Sequence, residues 1–150
     1  MFTLAKDIVR KHLKIDRTGL MLGLANLGGG LGGLVGGFYQ VAGNVIVLNT
    51  LPLRRLKETA PELHNAYAFH VLLHEYLHGL GYLTEQEVRP MVEELATKEF
   101  GPHHPVTQFA QGWTKFFPNL VYPVYGWNPP GGFDLEIVRG FDHEATDYIQ

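Results

Sequence analysis

The stretch from residue 62 to residue 79, ELHNAYAFHVLLHEYLHG, constrains the fold of this chain more than any other. Its apolar side chains fall around most of the helical circumference, and a helix of that kind is stable only when other elements cover it on nearly every side. Pro61 suits the first turn of such a helix, where the proline's missing N–H is not needed. The stretch therefore predicts a buried central helix around which a single domain, residues 1 to 150, is built.

Three histidines follow one stripe of this helix. His70, His74 and His78 are spaced four residues apart, so their side chains stack on the same face. Buried imidazoles need hydrogen-bond partners or a metal ion. The chain has no cysteine, which leaves His, Asp and Glu as the metal ligands. His74 and His78 are therefore predicted to bind one Zn²⁺ through two ring nitrogens, each about 2.0–2.1 Å from the ion.

Glu75 stands between the two predicted ligands in the motif H-E-x-x-H. On a helix it is rotated about 100° from His74, which suits holding a water on the metal rather than binding the metal itself. We predict that Glu75 acts as a general base on that water. His70 is interpreted as a core or supporting histidine, and a purely structural histidine stripe without metal is the alternative to the whole site.

A catalytic zinc needs a third protein ligand, and the sequence offers several. We favour His104, because the predicted helix of residues 85 to 99 rises about 22 Å and returns the chain to the level of His74. Gly101 and Pro102 can then turn the His104 side chain inward, just before a third helix that begins at Pro105. Three alternatives remain open: His103, Glu94 and Glu85, the last of which also suits the helix dipole at a helix N-terminus.

The flanking segments predict smaller elements. Residues 1 to 15 predict an amphipathic helix, and GLMLGLANL predicts a strand. Residues 38 to 48 predict a hairpin with a turn at Gly43 and Asn44, while the glycine-rich segment 28–37 predicts a flexible or bulged loop or a backbone that a ligand approaches closely. Thr84 is a suitable helix cap, and Pro90 predicts a kink or an early break in the next helix.

Composition and charge exclude several classes of function. The net charge of −3 gives no reason to expect nucleic acid as a partner. No apolar run of about twenty residues suits a membrane span, and the absence of cysteine fits a reducing, cytoplasmic location. In the tail, Tyr122 and Tyr125 are candidate oxyanion donors, and His143 and Glu144 are candidate late ligands or proton donors. Self-association is not indicated either way.

The hairpin GGFYQVAGNVIVLN, the HEYLH helix and the chain reversal after it together resemble the zincin metallopeptidases over about residues 35 to 110. The similarity is to small archaeal zincins and ImmA/IrrE-like domains, and the histidine before Pro105 is similar to the third-ligand segment of SprT-like zincins. Gly81 resembles the metzincin glycine, although Thr84 stands where a metzincin has its third histidine. No methionine turn is visible.

This resemblance implies an α+β, zincin-like fold with a small twisted sheet and a buried active-site helix. It also implies zinc-dependent hydrolysis of peptide bonds in a peptide or protein substrate. The alternative is a catalytically inactive zincin-like domain that binds a protein partner.

Overall fold

A computed structural model describes residues 1–30, 33–41, 43–112, 120–121 and 134–142. Within these residues the helices are α1 (Phe2–Leu13), α2 (Thr50–Thr59), α3 (Pro61–Gly79), α4 (Glu85–Phe100) and α5 (Pro105–Gln111). The strands are β1 (Met21–Ala25), β2 (Gly29–Gly30), β3 (Gly33–Val35), β4 (Gly37–Gln40), β5 (Val45–Asn49), β6 (Leu120–Val121) and β7 (Glu136–Val138). Five helices and a small mixed sheet confirm the predicted α+β class.

Helix α3 is the centre of the fold, as its apolar sequence predicts. It packs against each of the other four helices and against strands β4 and β5. All of its residues from Tyr67 to Gly79 are buried. Pro61 occupies the beginning of the helix, as expected from its fixed backbone angle. The H-E-x-x-H motif therefore lies in the interior of the protein and not on its surface.

A four-stranded sheet lies against α3 in the order β4-β5-β1-β7. β1 and β5 are parallel, and each outer strand is antiparallel to its neighbour. β4 and β5 form the predicted hairpin, and Asn44 in its turn has a φ of 53°. Gly37 opens β4 at a close approach, because a Cβ there would lie 2.6 Å from the Val47 carbonyl oxygen. The hairpin thus packs tightly, with β4 at the end of the described sheet and in contact with α3.

The glycine-rich segment 28–37 forms paired strands, which corrects the prediction of a loop. β2 and β3 are antiparallel, with Gly29 opposite Leu34 and Gly30 opposite Gly33, and β6 lies parallel to β3. Residues 31 and 32 lie outside the described part of the chain. Backbone pairing needs no side chain, so glycines can form a ladder although their strand propensity is low. Alternation of apolar and polar side chains, the usual sign of a strand, is therefore absent from this sequence.

Helix α4 begins with a capping box. The Thr84 side chain accepts a hydrogen bond from the backbone N–H of Glu87, whose side chain accepts one from the Thr84 N–H. Its apolar stripe is buried at Val88, Val92 and Leu95. The helix continues through Pro90, so the early break considered from the sequence does not occur. Burial of the stripe on both sides of Pro90 outweighs the backbone hydrogen bond that the proline cannot donate.

Helix α1 is the predicted amphipathic helix and closes the core on one side. Lys6 on this helix is only 1% exposed and forms an ion pair with Asp142 at 3.2 Å. Asp142 also accepts a hydrogen bond from the Gly19 N–H at 3.0 Å. This buried pair ties α1 to the segment that follows β7. In the part of the chain that the structure describes, no helix is both long enough and apolar enough to cross a membrane.

Candidate metal centre

The two histidines of the motif lie side by side on α3. The ring centroids of His74 and His78 are 5.1 Å apart, since residues four apart share one face of a helix. The two residues are 1% and 5% exposed. Imidazoles buried this deeply need polar partners, and the next helix supplies one to both.

Glu85 places its carboxylate across both imidazoles. Its Oε1 lies 2.7 Å from Nε2 of His78 and 3.1 Å from Nε2 of His74, and its Oε2 lies 2.9 Å from Nε2 of His74. One ligand atom from each of the three side chains can be chosen so that all lie within 4.8 Å of one another. Among the described residues, this is the single group of three or more that could hold a metal ion.

A short turn delivers Glu85 to the histidines. Gly81 has a φ of 107°, in the left-handed region that favours glycine. Thr84 then caps α4, which makes Glu85 the first residue of that helix. The positive end of the helix dipole favours a carboxylate at this position. Glu85 therefore lies where the helix dipole favours a carboxylate, as considered from the sequence, and the same side chain is a candidate metal ligand.

A backbone hydrogen bond fixes the tautomer of the neutral His78 ring. Its Nδ1 lies 2.8 Å from the carbonyl oxygen of Tyr82. A carbonyl can only accept, so Nδ1 donates its proton and the lone pair of a neutral ring is left on Nε2. Nε2 is the atom that faces Glu85. A histidine that ligates zinc is oriented in this way, through a hydrogen bond from its other nitrogen.

The donor set fits zinc. Two imidazole nitrogens and one carboxylate oxygen form a known set for catalytic zinc, which leaves a fourth position open. Tetrahedral bonds of 2.0–2.1 Å would separate the ligand atoms by about 3.4 Å. The contacts between Glu85 and the two imidazoles, at 2.7 to 3.1 Å, are about 0.3 to 0.7 Å shorter than that separation. Small side-chain shifts would therefore accommodate the ion.

The ionisation of the three side chains is coupled. Desolvation opposes ionisation of Glu85, but its hydrogen bonds to His74 and His78 lower its pKa to about 2. Burial lowers the pKa of His74 despite the opposing effect of Glu85. At His78 burial also lowers the pKa, but the hydrogen bond to Glu85, the charges of Glu75 and Glu85 and the Tyr82 carbonyl together raise it. A metal ion at this group would compete with a proton on His78.

Glu75 is a buried carboxyl group beside this group. Glu75 is only 2% exposed. Burial raises its pKa to about 8, with a further increase from the charge of Glu85 and an opposing effect from His78. A bound cation favours the carboxylate form, because a nearby positive charge lowers the pKa of a carboxyl group. Glu75 can thus change its protonation state near neutral pH, as a general base must.

The structure does not bring His104 to the histidine pair. Its Nδ1 accepts a hydrogen bond from the Val106 N–H at 3.1 Å, which caps α5, and its ring stacks on Phe100 at 4.7 Å. His104 is not part of the group, and Glu85 instead is its third member. The other two alternatives also lie elsewhere. His103 is exposed, and Glu94 forms an exposed ion pair with Lys98 at 2.8 Å.

His70 also stays outside the group of three. Its ring stacks on Phe109 at a centroid distance of 6.2 Å and lies 6.4 Å from the ring of His74. Burial lowers its pKa to about 3, and the neighbouring His74 contributes in the same direction. It therefore packs beside the centre as a neutral ring. The tail candidates Tyr122, Tyr125, His143 and Glu144 lie outside the described residues.

Arg17 anchors the end of α3 next to the metal ligands. Its guanidinium donates to the carbonyl oxygen of Gly79, to the hydroxyl of Tyr39 on β4 and to the side-chain oxygen of Asn44. Gly79 directly follows His78, so this contact links the ligand helix to the hairpin. Arg17 was not predicted as part of the site, because its partners are distant in sequence and mostly backbone or neutral groups.

Comparison with known proteins gives no relative. No family model matches the chain, and neither a curated protein nor a solved structure does so. Any assignment of function to this centre therefore depends on its own residues and their geometry.

Proposed function

We propose that this protein is a zincin-like, zinc-dependent metallopeptidase that hydrolyses peptide bonds. His74, His78 and Glu85 are its metal ligands, and Glu75 is its general base. One observation carries the proposal: two imidazole nitrogens and a carboxylate oxygen lie within 4.8 Å of one another. Two histidines and one glutamate are a ligand set of catalytic zinc sites, which keep one position open for water.

Each side chain has a distinct task in this reaction. Zinc, when bound, supplies a Lewis acid that lowers the pKa of a coordinated water to about 7. Glu75 takes a proton from the attacking water and hands it to the nitrogen of the leaving amine. The Tyr82 carbonyl keeps Nδ1 of His78 protonated, so that Nε2 remains the ligand atom. Burial of the motif limits competing water around Glu75 and strengthens the electrostatic interactions there.

The proposed substrate is a peptide or protein. In zincins a strand beside the active-site helix binds extended substrate through backbone hydrogen bonds. Here β4 has the corresponding place, since it ends the described four-stranded sheet and contacts α3. A strand at the end of a sheet presents backbone N–H and C=O groups to an added chain. A cytoplasmic location remains part of the proposal, based on the lack of cysteine.

Substitution of Glu75 by glutamine tests the mechanism. Glutamine keeps the size of the side chain but cannot accept a proton at neutral pH. We expect Glu75→Gln to retain zinc, measured by elemental analysis, and to lose peptide cleavage by at least about 100-fold. Glu62→Gln is the matched control, because Glu62 lies exposed in the first turn of the same helix. That variant should cleave at the wild-type rate.

The outcomes separate the alternatives. Unchanged cleavage by Glu75→Gln would show that the proposed base is wrong. If the wild-type protein binds zinc but cleaves no peptide from a diverse library, it is a catalytically inactive domain that binds a protein partner. If the protein contained no zinc and its melting temperature did not respond to chelator, the histidine stripe would be purely structural.

A further inference from the structure

We propose that Arg89 is a positioning residue for the metal centre, holding one oxygen of Glu85 so that the other serves as the single ligand atom. The inference rests on the proposed metal-binding function of Glu85. Arg89 Nε forms an ion pair with Oε2 of Glu85 at 3.5 Å, without a hydrogen bond, and the two residues are one turn apart on α4. Arg89 thus acts through Glu85 and is not itself a ligand.

The two oxygens of Glu85 have different surroundings. Oε1 lies near the Nε2 atoms of both His74 and His78, at 3.1 and 2.7 Å. Oε2 lies near His74 at 2.9 Å and near Arg89 at 3.5 Å. Oε1 is therefore the oxygen near both imidazoles, whereas Oε2 is near His74 and the guanidinium. Arg89 thus acts on the oxygen that the two histidines do not share.

The same ion pair contributes little to folding. The side chain of Arg89 is 46% exposed and that of Glu85 is 23% exposed, and water screens an ion pair in such a position. For the metal centre, the ion pair matters because it orients the Glu85 carboxylate. Groups that orient a metal ligand typically change metal affinity by about 10–100-fold when they are removed. Arginine also differs from lysine, because its planar group restricts the orientation of a carboxylate more than a point charge does.

Arg89 also has an opposing electrostatic effect. Its positive charge repels a cation and withdraws electron density from Glu85, so removing that charge would by itself strengthen metal binding. Orientation and repulsion therefore predict opposite signs for the same substitution. The direction of the change in zinc affinity decides between them, and the positioning role requires weaker binding.

The chain offers a matched control on the same helix. Lys98 and Glu94 form another ion pair at a spacing of four residues, with a distance of 2.8 Å, and both side chains are more than half exposed. Glu94 is not part of the metal centre. Lys98→Gln therefore removes an equivalent helix pair without touching a ligand.

The experiment measures the zinc dissociation constant of the full chain by competition with a chromophoric chelator. We expect Arg89→Gln to weaken binding about 10-fold, Arg89→Lys to recover part of that loss, and Lys98→Gln to remain within about twofold of wild type. Thermal melting of the metal-free variants checks that each one folds. The absorption spectrum of the cobalt(II)-substituted proteins adds a second readout, and we expect Arg89→Gln to lose the intensity typical of a four-coordinate centre.

Three results would overturn the positioning role: zinc affinity of Arg89→Gln equal to that of Lys98→Gln, tighter binding by Arg89→Gln, or an unchanged cobalt spectrum. Failure of the peptidase proposal is distinguishable, because a protein that binds zinc with the expected Arg89 dependence but cleaves no peptide contradicts only the reaction. A wild-type chain that takes up no zinc would overturn both proposals.

Discussion

Replacing Glu85 by glutamine removes one negative charge from the metal centre while keeping the size of the side chain. In the metal-free protein we expect a moderate loss of stability. Glutamine can still exchange hydrogen bonds with the imidazoles of His74 and His78, and Glu85 is 23% exposed, so water compensates for part of the lost charge. The expected decrease in the free energy of unfolding is about 1–2 kcal/mol.

The substitution should also weaken zinc binding. Zinc sites with four protein ligands bind with about 10–16 kcal/mol, which corresponds to roughly 3 kcal/mol for each ligand. Loss of the Glu85 carboxylate should therefore raise the zinc dissociation constant about 100-fold. With free zinc at 100 times the wild-type dissociation constant, metal binding stabilises the wild type by about 2.7 kcal/mol and the variant by only about 0.4 kcal/mol. For a domain of this size the corresponding shifts in melting temperature are roughly 5–10 °C and about 1 °C.

The assay compares melting curves with and without a chelator at fixed free zinc. Glu87→Gln serves as the control, because Glu87 lies in the same first turn of α4 but is exposed. Glutamine also preserves the capping box, so this variant should keep the full zinc-dependent shift. If Glu85→Gln keeps that shift as well, Glu85 is only a carboxylate that complements the helix dipole. If His104→Ala instead loses the zinc-dependent shift in melting temperature, His104 is a zinc ligand, as predicted from the sequence.

Two further predictions concern the surroundings of the centre. Thr84→Ala should lower the free energy of unfolding by about 1 kcal/mol in urea titrations, because it removes the hydroxyl that accepts from the Glu87 N–H; an equal loss in Thr84→Ser would contradict the capping role. Desolvation opposes ionisation of Asp16, but its hydrogen bond with Arg10 and the charge of Lys6 hold its pKa below the usual 3.8. Its contribution to stability is therefore present above about pH 4 and lost as the pH falls through the folded-state pKa. Asp16→Asn should be less stable than wild type at pH 7 and approach it as the pH falls below the folded-state pKa of Asp16, and a difference that does not change with pH would refute this.

Several features of the fold could be predicted from sequence because they depend on local order. The apolar circumference of residues 62–79 indicated burial on all sides, and α3 is in contact with every other helix. The spacing of four residues placed His74 and His78 on one face. The Gly43-Asn44 turn and the Thr84 cap follow from backbone preferences of single residues, and both occur where they were predicted.

The strands of the glycine-rich segment 28–37 could not be predicted from local sequence patterns. Its strands pair through backbone groups alone, and Gly30 lies opposite Gly33 without a side chain on either residue. A pattern of side chains cannot reveal pairing of this kind. The hydrogen bonds of Arg17 are similar in this respect, because they join residues from α3, β4 and the hairpin turn that only the folded chain brings together.

The two histidines, the carboxyl group of Glu75 and the central helix that carries all three follow from the order of residues along the chain. Which side chain joins them depends on how the chain packs. Glu85 and His104 both stand at the N-terminus of a helix, and each has a local role there, near the dipole of α4 or as the cap of α5. Their distance from His78 depends on how the turn at Gly81 directs α4 and on how the buried stripe of α4 packs. That path is a property of the packed chain, and it brings Glu85 within 2.7 Å of His78 while the ring nitrogen of His104 caps its own helix.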